Sequence, residues 1–374
     1  MAGYQRELMA DDPKTVWILG SGFSKGLGGP LLYELLTEKA RLETNDQYPS
    51  APNRNAVYHL YAKYGPSGAK YWAHAEDFLE FVDAAIEEPS STRRQFLERL
   101  VNGLGLPDGM LVENFRKLAI LAVSLECSTF VDRGFVDSET WEPYVGWARE
   151  RGPNDTVITF NYDQVLEKLG TAEGVNLIGA RTVVRPGTKD EIKGRCQIYK
   201  LHGSTTWGID KDGGFGPFDT CDFVSLAGAP GNVYRNLIAT PGATKRGHCE
   251  GLLKPLWVKA MQKISEADVI VFMGYRFPPS DSHSRKMLMG AIRANRSLRL
   301  RIHTVLGPEI HSDATVRLIS MLKHVLEGED RVPFDNGTIH LDGEYEIVPQ
   351  PLFVEDFLSV VSEKALYGGL AKRV

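Results

Sequence analysis

Short apolar runs alternate with amphipathic stretches along most of the chain. Residues 15–20 (TVWILG) form one such run, and residues 268–274 (DVIVFMG) form another that is continuously apolar, as buried parallel strands are. Residues 156–160 (TVITF) and the stretch ending at Leu201 (QIYKL) have the same character. Apolar residues then recur at helical spacing in residues 31–42. This alternation predicts an α/β fold with a Rossmann-like, mostly parallel sheet flanked by helices.

The rest of the chain also alternates between apolar, strand-like runs and stretches with helical spacing. We interpret residues 1–374 as a single domain. Residues 208–232 are rich in glycine and predict a loop. Residues 330–374 are expected to form a C-terminal strand and helix extension. Further strands are predicted at 236–240, at 299–306 and, as one or two edge strands, within 338–349. Further helices are predicted at 252–264, 281–294, 313–326 and 353–366.

One long stretch contains helical patterns without a strand between them. Three amphipathic stripes begin at Phe78, Phe96 and Leu111, each with apolar residues at helical spacing. The preceding residues 44–70 are polar and rich in turn formers. The pattern predicts a helical module inserted into the α/β domain at about residues 45–150.

Composition narrows the possible functions. The chain has 374 residues, of which 43% are hydrophobic and 24% charged, and a formal charge of −5, which argues against a general nucleic-acid coat. None of the four cysteines lies in a C-x-x-C pair, so no metal site is expected. The chain starts with a polar, acidic segment and has no apolar run of about 18 residues. We therefore expect a cytoplasmic protein without a membrane anchor.

The first strand is followed by a loop rich in glycine and serine. Its residues are Gly20, Ser21, Gly22, Phe23 and Ser24. Glycines allow a backbone to approach a pyrophosphate, and the start of the next helix offers free N–H groups. The spacing is not the regular G-x-G-x-x-G pattern, so a plain strand-to-helix turn remains an alternative.

Two further strands end in side chains that are suited to chemistry. Asn161 can donate and accept hydrogen bonds, which suits a ribose hydroxyl or a bound water, whereas Asp163 is equally explained as a helix N-cap. His202 lies just beyond a strand and before Gly203, where it can act as a general base. A lone histidine is more often structural, and that alternative stays open.

The late apolar strand is followed by Gly274, Tyr275 and Arg276. The glycine and the prolyl turn after it leave room for a ligand at the strand end. Arg276 either meets a phosphate or points into solvent. Asp281 or Ser280 is expected to cap the next helix.

Taken in order, these four segments resemble the sirtuin-like family, in particular its bacterial NAD-cleaving branch found in anti-phage defence systems. The segments are G-S-G-F-S (20–24), T-F-N-Y-D (159–163), K-L-H-G-S (200–204) and M-G-Y-R-F-P-P-S-D (273–281). The resemblance spans roughly residues 15–285. It implies that NAD⁺ is the substrate.

The resemblance also implies residue roles. Asn161 matches the asparagine that orients the nicotinamide ribose or the attacking water, Asp163 the acid just after it, and His202 the catalytic histidine. The residues implied in NAD⁺ binding are Gly20, Ser21, Gly22, Phe23, Ser24, Asn161, Gly203, Gly274, Tyr275 and Arg276.

Deacetylating sirtuins carry a zinc module with paired C-x-x-C motifs, which this chain lacks. The resemblance therefore favours an NAD⁺ glycohydrolase that releases nicotinamide and ADP-ribose and depletes NAD⁺ in antiviral defence. The alternatives are a deacylase or ADP-ribosyltransferase, a non-catalytic nucleotide-sensing module and, more distantly, a dehydrogenase. Such an activity must be held silent, which implies a homo-oligomer or a partner such as a HerA-type ATPase.

Overall fold

The computed structural model describes most of the chain, and the structural statements below concern only that part. The described ranges are 13–49, 54–103, 112–176, 178–186, 194–209, 215–217, 235–239, 247, 251–278, 281–297, 299–327, 339–340 and 345–367.

Eight strands form the main sheet, in the order β10-β11-β9-β8-β1-β2-β4-β3. Seven of them pair in parallel, and only the short edge strand β10 pairs antiparallel. The strands are β1 (Thr15–Leu19), β2 (Asp155–Thr159), β3 (Val183–Val184), β4 (Gln197–Lys200), β8 (Val269–Met273), β9 (Arg301–Val305), β10 (Ile339–His340) and β11 (Glu346–Gln350). This sheet, flanked by helices, confirms the predicted Rossmann-like fold.

The central strand β1 explains why the site lies where it does. All five of its residues are buried, and Trp17 lies opposite Val157 of β2 on one side and Val271 of β8 on the other. Apolar strands buried on both faces favour a parallel arrangement. The carboxyl ends of β1, β2, β4 and β8 therefore meet at one edge of the sheet, where the candidate residues follow them.

The described helices are α1 (Ser21–Lys25), α2 (Glu38–Gln47), α3 (Asn55–Tyr64), α4 (Ala75–Glu87), α5 (Thr92–Asn102), α6 (Val112–Arg133), α7 (Glu142–Arg149), α8 (Val165–Leu169), α9 (Lys254–Ser265), α10 (Ser282–Arg293), α11 (Asp313–Glu327), α12 (Val354–Val360) and α13 (Glu363–Tyr367). Within the described ranges, none of these helices is both long and apolar enough to cross a membrane.

The prediction of one helix at residues 31–42 is wrong. The structure instead has the single-turn helix α1, a 3-10 turn at Leu32–Glu34 and then α2. Leu36 has a positive φ of 59°, which a continuous helix does not allow, and the Thr37 side chain accepts a hydrogen bond from the Ala40 N–H to start α2.

The prediction of one C-terminal helix at 353–366 is also wrong. Val361 is extended, with φ −65° and ψ 131°, and it ends α12. The Ser362 hydroxyl then accepts a hydrogen bond from the Ala365 N–H at 3.3 Å and starts α13.

Two regions interpreted as irregular contain regular structure. The polar stretch 44–70 contains α3, because Val57, Leu60 and Tyr61 form a buried face that the surrounding turn formers obscure. The second, antiparallel sheet has the order β6-β5-β7, with β5 at Gly203–Ile209, β6 at Phe215–Pro217 and β7 at Arg235–Ile238. The rest of the predicted loop at 208–232 lies outside the described residues.

The helices between β1 and β2 do not all pack alike. Helices α3 to α6 share a hydrophobic cluster that includes Val57, Phe78, Leu97 and Phe115. Helix α7 instead packs into the core of the main sheet, where its Trp147 ring meets Trp17 edge to face at 5.5 Å. The domain limits 45–150 and 330–374 stay predictions.

The loops after β1 and β8 touch backbone to backbone, and glycines make this possible. A Cβ on Gly20 would lie 2.6 Å from the Gly274 carbonyl oxygen, and one on Gly22 would lie 2.6 Å from the Gly274 Cα. Gly274 itself has φ +65°, and a Cβ there would lie 2.4 Å from Gly22 backbone atoms. Any side chain at these three positions would force the loops apart.

We expect Gly274→Ala to destabilise the protein by about 2 kcal/mol or more, because it adds a left-handed non-glycine residue and a backbone clash. Gly146→Ala in α7 is the matched control, since a Cβ there meets nothing within 4 Å. It should stabilise the protein by up to about 1 kcal/mol through helix propensity. Urea unfolding measures both variants, and a Gly274→Ala protein as stable as the wild type would contradict the close contact.

Candidate active site

A cavity of about 860 Å³ lies at the carboxyl edge of the main sheet. Ligand sites of about 300–1,000 Å³ are typical for small molecules and cofactors. The predicted residues that line it are Gly20, Ser21, Gly22, Ser24, Asn161, Asp163, His202, Gly274, Tyr275 and Arg276. The structure thus brings together residues from four strand ends.

Two of the residues predicted to bind NAD⁺ do not line this cavity. The Phe23 side chain is buried in the core and packs edge to face against Tyr144 and Trp147. Gly203 has φ +83°, and a Cβ there would lie 1.9 Å from the Leu237 carbonyl oxygen. Its lack of a side chain therefore serves the approach of β5 to β7.

The amides of the glycine loop are largely used within the protein. The Gly20 N–H donates to the Met273 carbonyl at 3.0 Å, and the Gly22 N–H donates to the Gly274 carbonyl at 3.1 Å. Ser21 also lines the cavity, and neither its amide nor its hydroxyl bonds to any residue that the structure describes. Ser21 is thus the donor this loop offers a ligand, whereas the two glycines serve mainly to join the loops.

The Asn161 side chain has a fixed orientation. Its Nδ2 donates to the Gly20 carbonyl at 3.0 Å and to the Ser24 hydroxyl at 3.1 Å. The Gly20 carbonyl can only accept, so the amide must present its nitrogen to it. The Asn161 Oδ1 accepts no hydrogen bond within the described ranges. Because Asn161 lines the cavity, this oxygen is an available acceptor for a hydroxyl group or a water.

Asp163 is buried behind this amide and supports it. Its Oδ2 accepts a hydrogen bond from the Ser24 hydroxyl at 2.7 Å, and its Oδ1 accepts one from the Val165 N–H at 3.1 Å. Burial raises the pKa of Asp163, while the nearby Lys200 charge opposes that rise. The chain from Asn161 through Ser24 to Asp163 holds the amide in place, in addition to the local turn at the start of α8.

Lys200 supports Asp163 from the interior of the protein, and this role was not predicted from the sequence. It is fully buried, and its Nζ donates to the Asp163 backbone carbonyl and, at 2.9 Å, to Glu167 Oε1. A buried ammonium needs such partners, because desolvation is otherwise costly. The sequence of β4 does not indicate that Lys200 is buried, since a lysine at a strand end is ordinarily exposed.

His202 is enclosed by aromatic rings and polar groups. It is 3% exposed, and its ring meets Phe160 edge to face at 4.9 Å. Its Nε2 lies 3.3 Å from the Ser284 Oγ and 3.7 Å from the Asp281 Oδ1. A histidine held between a carboxylate and a cavity can take up a proton there.

Tyr275 and Arg276 differ in their roles. The Tyr275 ring stacks on Phe160 at 4.1 Å, and its hydroxyl donates to the Asp281 Oδ2 at 2.9 Å. The exposed Arg276 donates to the Leu306 carbonyl at 2.7 Å. That bond holds its guanidinium at the cavity rim.

The wall opposite the sheet comes from segments without a recognisable motif. Helix α4 contributes Glu76, helix α6 contributes Cys127 and Phe130, and the C-terminal segment contributes Phe353 and Glu355. Burial raises the pKa of the Cys127 thiol well above its ordinary value, so this cysteine stays protonated. Only the folded chain brings these distant residues to one cavity.

Cys221 and Cys249 lie outside the described residues. In the part of the chain that the structure describes, no group of three His, Cys, Asp or Glu side chains could hold a metal ion.

Comparison with known proteins gives one family match. Residues 155–319 match the family described as the SIR2-like domain, a range that contains Asn161, His202 and Gly274. The match spans less than half of the chain. It supports a sirtuin-like family and suggests NAD-dependent activity.

Solved sirtuin structures align with most of the chain, at low identity and low TM-score. One is Sir2Tm bound to a propionylated peptide, with 14% identity, a TM-score of 0.36, and coverage of 96% of this chain and 94% of that chain. Another is a complex of Sir2, a p53 peptide and NAD⁺, with 14% identity, a TM-score of 0.35 and the same coverage. Among curated proteins, none matches the chain.

A carboxyl group behind the cavity wall makes stability depend on pH. Burial raises the pKa of Glu126 to about 8. Between about pH 4.5 and 8 the unfolded chain releases a proton that the folded chain keeps, so Glu126 makes stability fall as pH rises, by up to about 1.4 kcal/mol per pH unit. We expect Glu126→Gln to remove this slope.

Urea unfolding from pH 5 to pH 8 measures the effect, with the exposed Glu139→Gln as control. The stability of Glu126→Gln relative to wild type should increase across this range, and that of Glu139→Gln should not. Parallel pH profiles for wild type and Glu126→Gln would contradict a protonated Glu126.

Proposed function

We propose that the protein is an NAD⁺ glycohydrolase, which converts NAD⁺ and water into nicotinamide, ADP-ribose and a proton. One observation carries the proposal: the oriented Asn161 amide and the buried His202 line the same cavity, beside the loops that follow β1 and β8. The cavity volume is in the range that suits a dinucleotide. Arg276 adds a cationic group to its lining, which suits a pyrophosphate, whereas Lys25 in the same lining is paired with Glu34 at 2.6 Å.

The chemistry needs few groups from the protein. Nicotinamide leaves as a neutral molecule from a cationic ring, so no acid has to protonate it. The transition state resembles an oxocarbenium ion, as in glycoside hydrolysis. In our proposal Asn161 Oδ1 accepts a hydrogen bond from the ribose or from the attacking water, and His202 accepts the proton that the water loses. General-base assistance of this kind contributes about 10²–10⁴ in rate.

Hydrolysis is favoured over deacylation by the sequence. Protein-deacetylating sirtuins place paired C-x-x-C motifs in a zinc module, and none of the four cysteines here forms such a pair. The NAD-cleaving branch that the motifs resemble acts in anti-phage defence. We therefore propose that the protein depletes NAD⁺ as an effector in that setting.

We expect His202→Ala and Asn161→Ala to lower NAD⁺ hydrolysis by about 10²-fold or more while the protein stays folded. The exposed His59→Ala and Asn102→Ala are matched controls and should keep wild-type turnover. Chromatography of nicotinamide and ADP-ribose measures the rates.

Three results would separate the alternatives. Equal amounts of nicotinamide and ADP-ribose without any peptide support the hydrolase. Product formation that requires an acyl-lysine peptide and yields O-acyl-ADP-ribose would replace it with a deacylase. NAD⁺ binding without turnover under any condition would leave a nucleotide-sensing module.

An NAD⁺-destroying enzyme has to be controlled, and we propose that assembly controls it. The partner is a second copy of the chain or a HerA-type ATPase. Activity per protomer should therefore rise with protein concentration, or on addition of the ATPase, in step with the mass measured by sedimentation. A fully active monomer that needs no partner would overturn this proposal.

A further inference from the structure

Asp281 lies beside His202 in a place that neither helix capping nor solvent exposure explains. It is 4% exposed and precedes α10, where a side-chain cap is the ordinary role for an aspartate. Its side chain makes no capping hydrogen bond to that helix. The carboxylate instead approaches His202 Nε2 at 3.7 Å through its Oδ1. The expected capping role is thus not the one the side chain performs.

The other carboxylate oxygen is fixed by Tyr275. The Tyr275 hydroxyl donates to Asp281 Oδ2 at 2.9 Å. Burial and the neighbouring carboxylate raise the pKa of Tyr275, so the phenol keeps its proton and remains a donor. The Tyr275 ring is in turn stacked on Phe160, with an angle of 10° between the ring planes. Phe160 also contacts the His202 ring, so one aromatic side chain packs against both His202 and Tyr275.

The groups around His202 come from four segments. Phe160 and Tyr162 follow β2, Trp257 belongs to α9, and Asp281 and Ser284 lie at the start of α10. Tyr275 completes the set through its bond to Asp281. The positive charge of Arg285 acts on Tyr275. Among the described groups placed here around the His202 ring, Asp281 supplies the negative charge.

We propose that Asp281 is a positioning residue that acts through His202: its buried carboxylate, 3.7 Å from Nε2, stabilises the imidazolium that forms during turnover. The inference rests on the proposed hydrolase function. In neutral imidazole one nitrogen donates and the other carries the lone pair. The Ser284 Oγ, 3.3 Å from Nε2, is the nearer partner and can donate or accept, so the carboxylate acts on the ring through its charge and does not fix the tautomer.

The proposed step balances in bonds and protons. The C1′–N bond to nicotinamide breaks, and its electron pair goes to the nicotinamide nitrogen. The water oxygen forms the new bond to C1′, and the proton from its O–H bond goes to His202. The imidazolium then carries one proton on each nitrogen, faces the Asp281 carboxylate and later releases one proton to solvent.

The first test compares turnover in single and double variants. Asp281→Asn keeps the shape of the side chain but removes its charge. We expect kcat to fall tenfold or more, and the acidic limb of the pH–rate profile to move to lower pH, because the imidazolium is less stable without the carboxylate. In a His202→Ala background, Asp281→Asn should cause no further loss, since both residues act in one step. The exposed Asp137→Asn is the control.

The second test does not depend on activity. NMR of protein labelled at its nine histidines follows the His202 ring through a pH titration, with the signal assigned by its absence in His202→Ala. An opposite charge within about 4–6 Å shifts a pKa by about one to three units. The His202 pKa should therefore fall by about one unit or more in Asp281→Asn. It should fall by less in Tyr275→Phe, which keeps the ring but loses the hydroxyl donor.

The outcomes separate the two claims. Normal hydrolysis by His202→Ala would overturn the proposed function, whereas the NMR titration would still test the contact. An inactive His202→Ala together with a fully active Asp281→Asn and an unchanged His202 pKa would overturn the role of Asp281 alone. An equal loss from Asp281→Asn with and without His202 would also overturn it, because that pattern marks a purely structural effect.

Discussion

The contact between the loops after β1 and β8 determines where the other groups of the site can lie. Gly20 and Gly22 meet Gly274 at distances that leave no room for a Cβ. The same contact places the Gly20 carbonyl next to the Asn161 amide and the Tyr275 ring next to the Phe160 ring. The hydrogen bonds of Asn161 and the ring stack of Tyr275 therefore both depend on this one backbone contact.

Two networks of different character meet at the cavity. One runs from Asn161 through Ser24 to Asp163 and is held from below by the buried Lys200. The other joins His202, Asp281 and Tyr275 among aromatic rings. The first consists of hydrogen bonds that orient an amide, and the second places a carboxylate against a titratable ring. The proposed hydrolysis requires both functions, since the site would have to hold a ribose and accept a proton.

The strand ends were predictable because a parallel sheet brings its carboxyl ends to one edge. The motifs and their spacing were therefore enough to predict that Asn161, His202 and Gly274 lie at one edge of the sheet. Either Asp281 or Ser280 was predicted to cap the next helix, since sequence shows a position before a helix but not the direction of the side chain; Ser280 lies outside the described residues. Phe23 was grouped with the glycine loop, although its apolar ring belongs to the core.

The remaining differences arise from contacts between distant residues. Apolar periodicity alone predicts continuous helices at 31–42 and 353–366. The positive φ of Leu36 and the extended backbone of Val361 interrupt them. Strand β7 was predicted at 236–240, but β5 and β6 were not, because their glycines reduce the alternation that marks a strand. The cavity wall from α4, α6 and the C-terminal segment carries no motif, and only tertiary packing brings it to the site.

The cavity is closed at one side by residues from the far end of the chain. Phe353 and Glu355 line it together with Gly20 and Ser21, so a molecule that fills the cavity would contact the C-terminal segment as well as the loop after β1. Its binding free energy would then help to hold the C-terminal segment on the sheet, because a ligand stabilises the state that binds it. If the ligand is NAD⁺ and is hydrolysed as proposed, its consumption would progressively loosen this closure, and the nucleotide supply of the cell would be coupled to the position of Phe353 and Glu355.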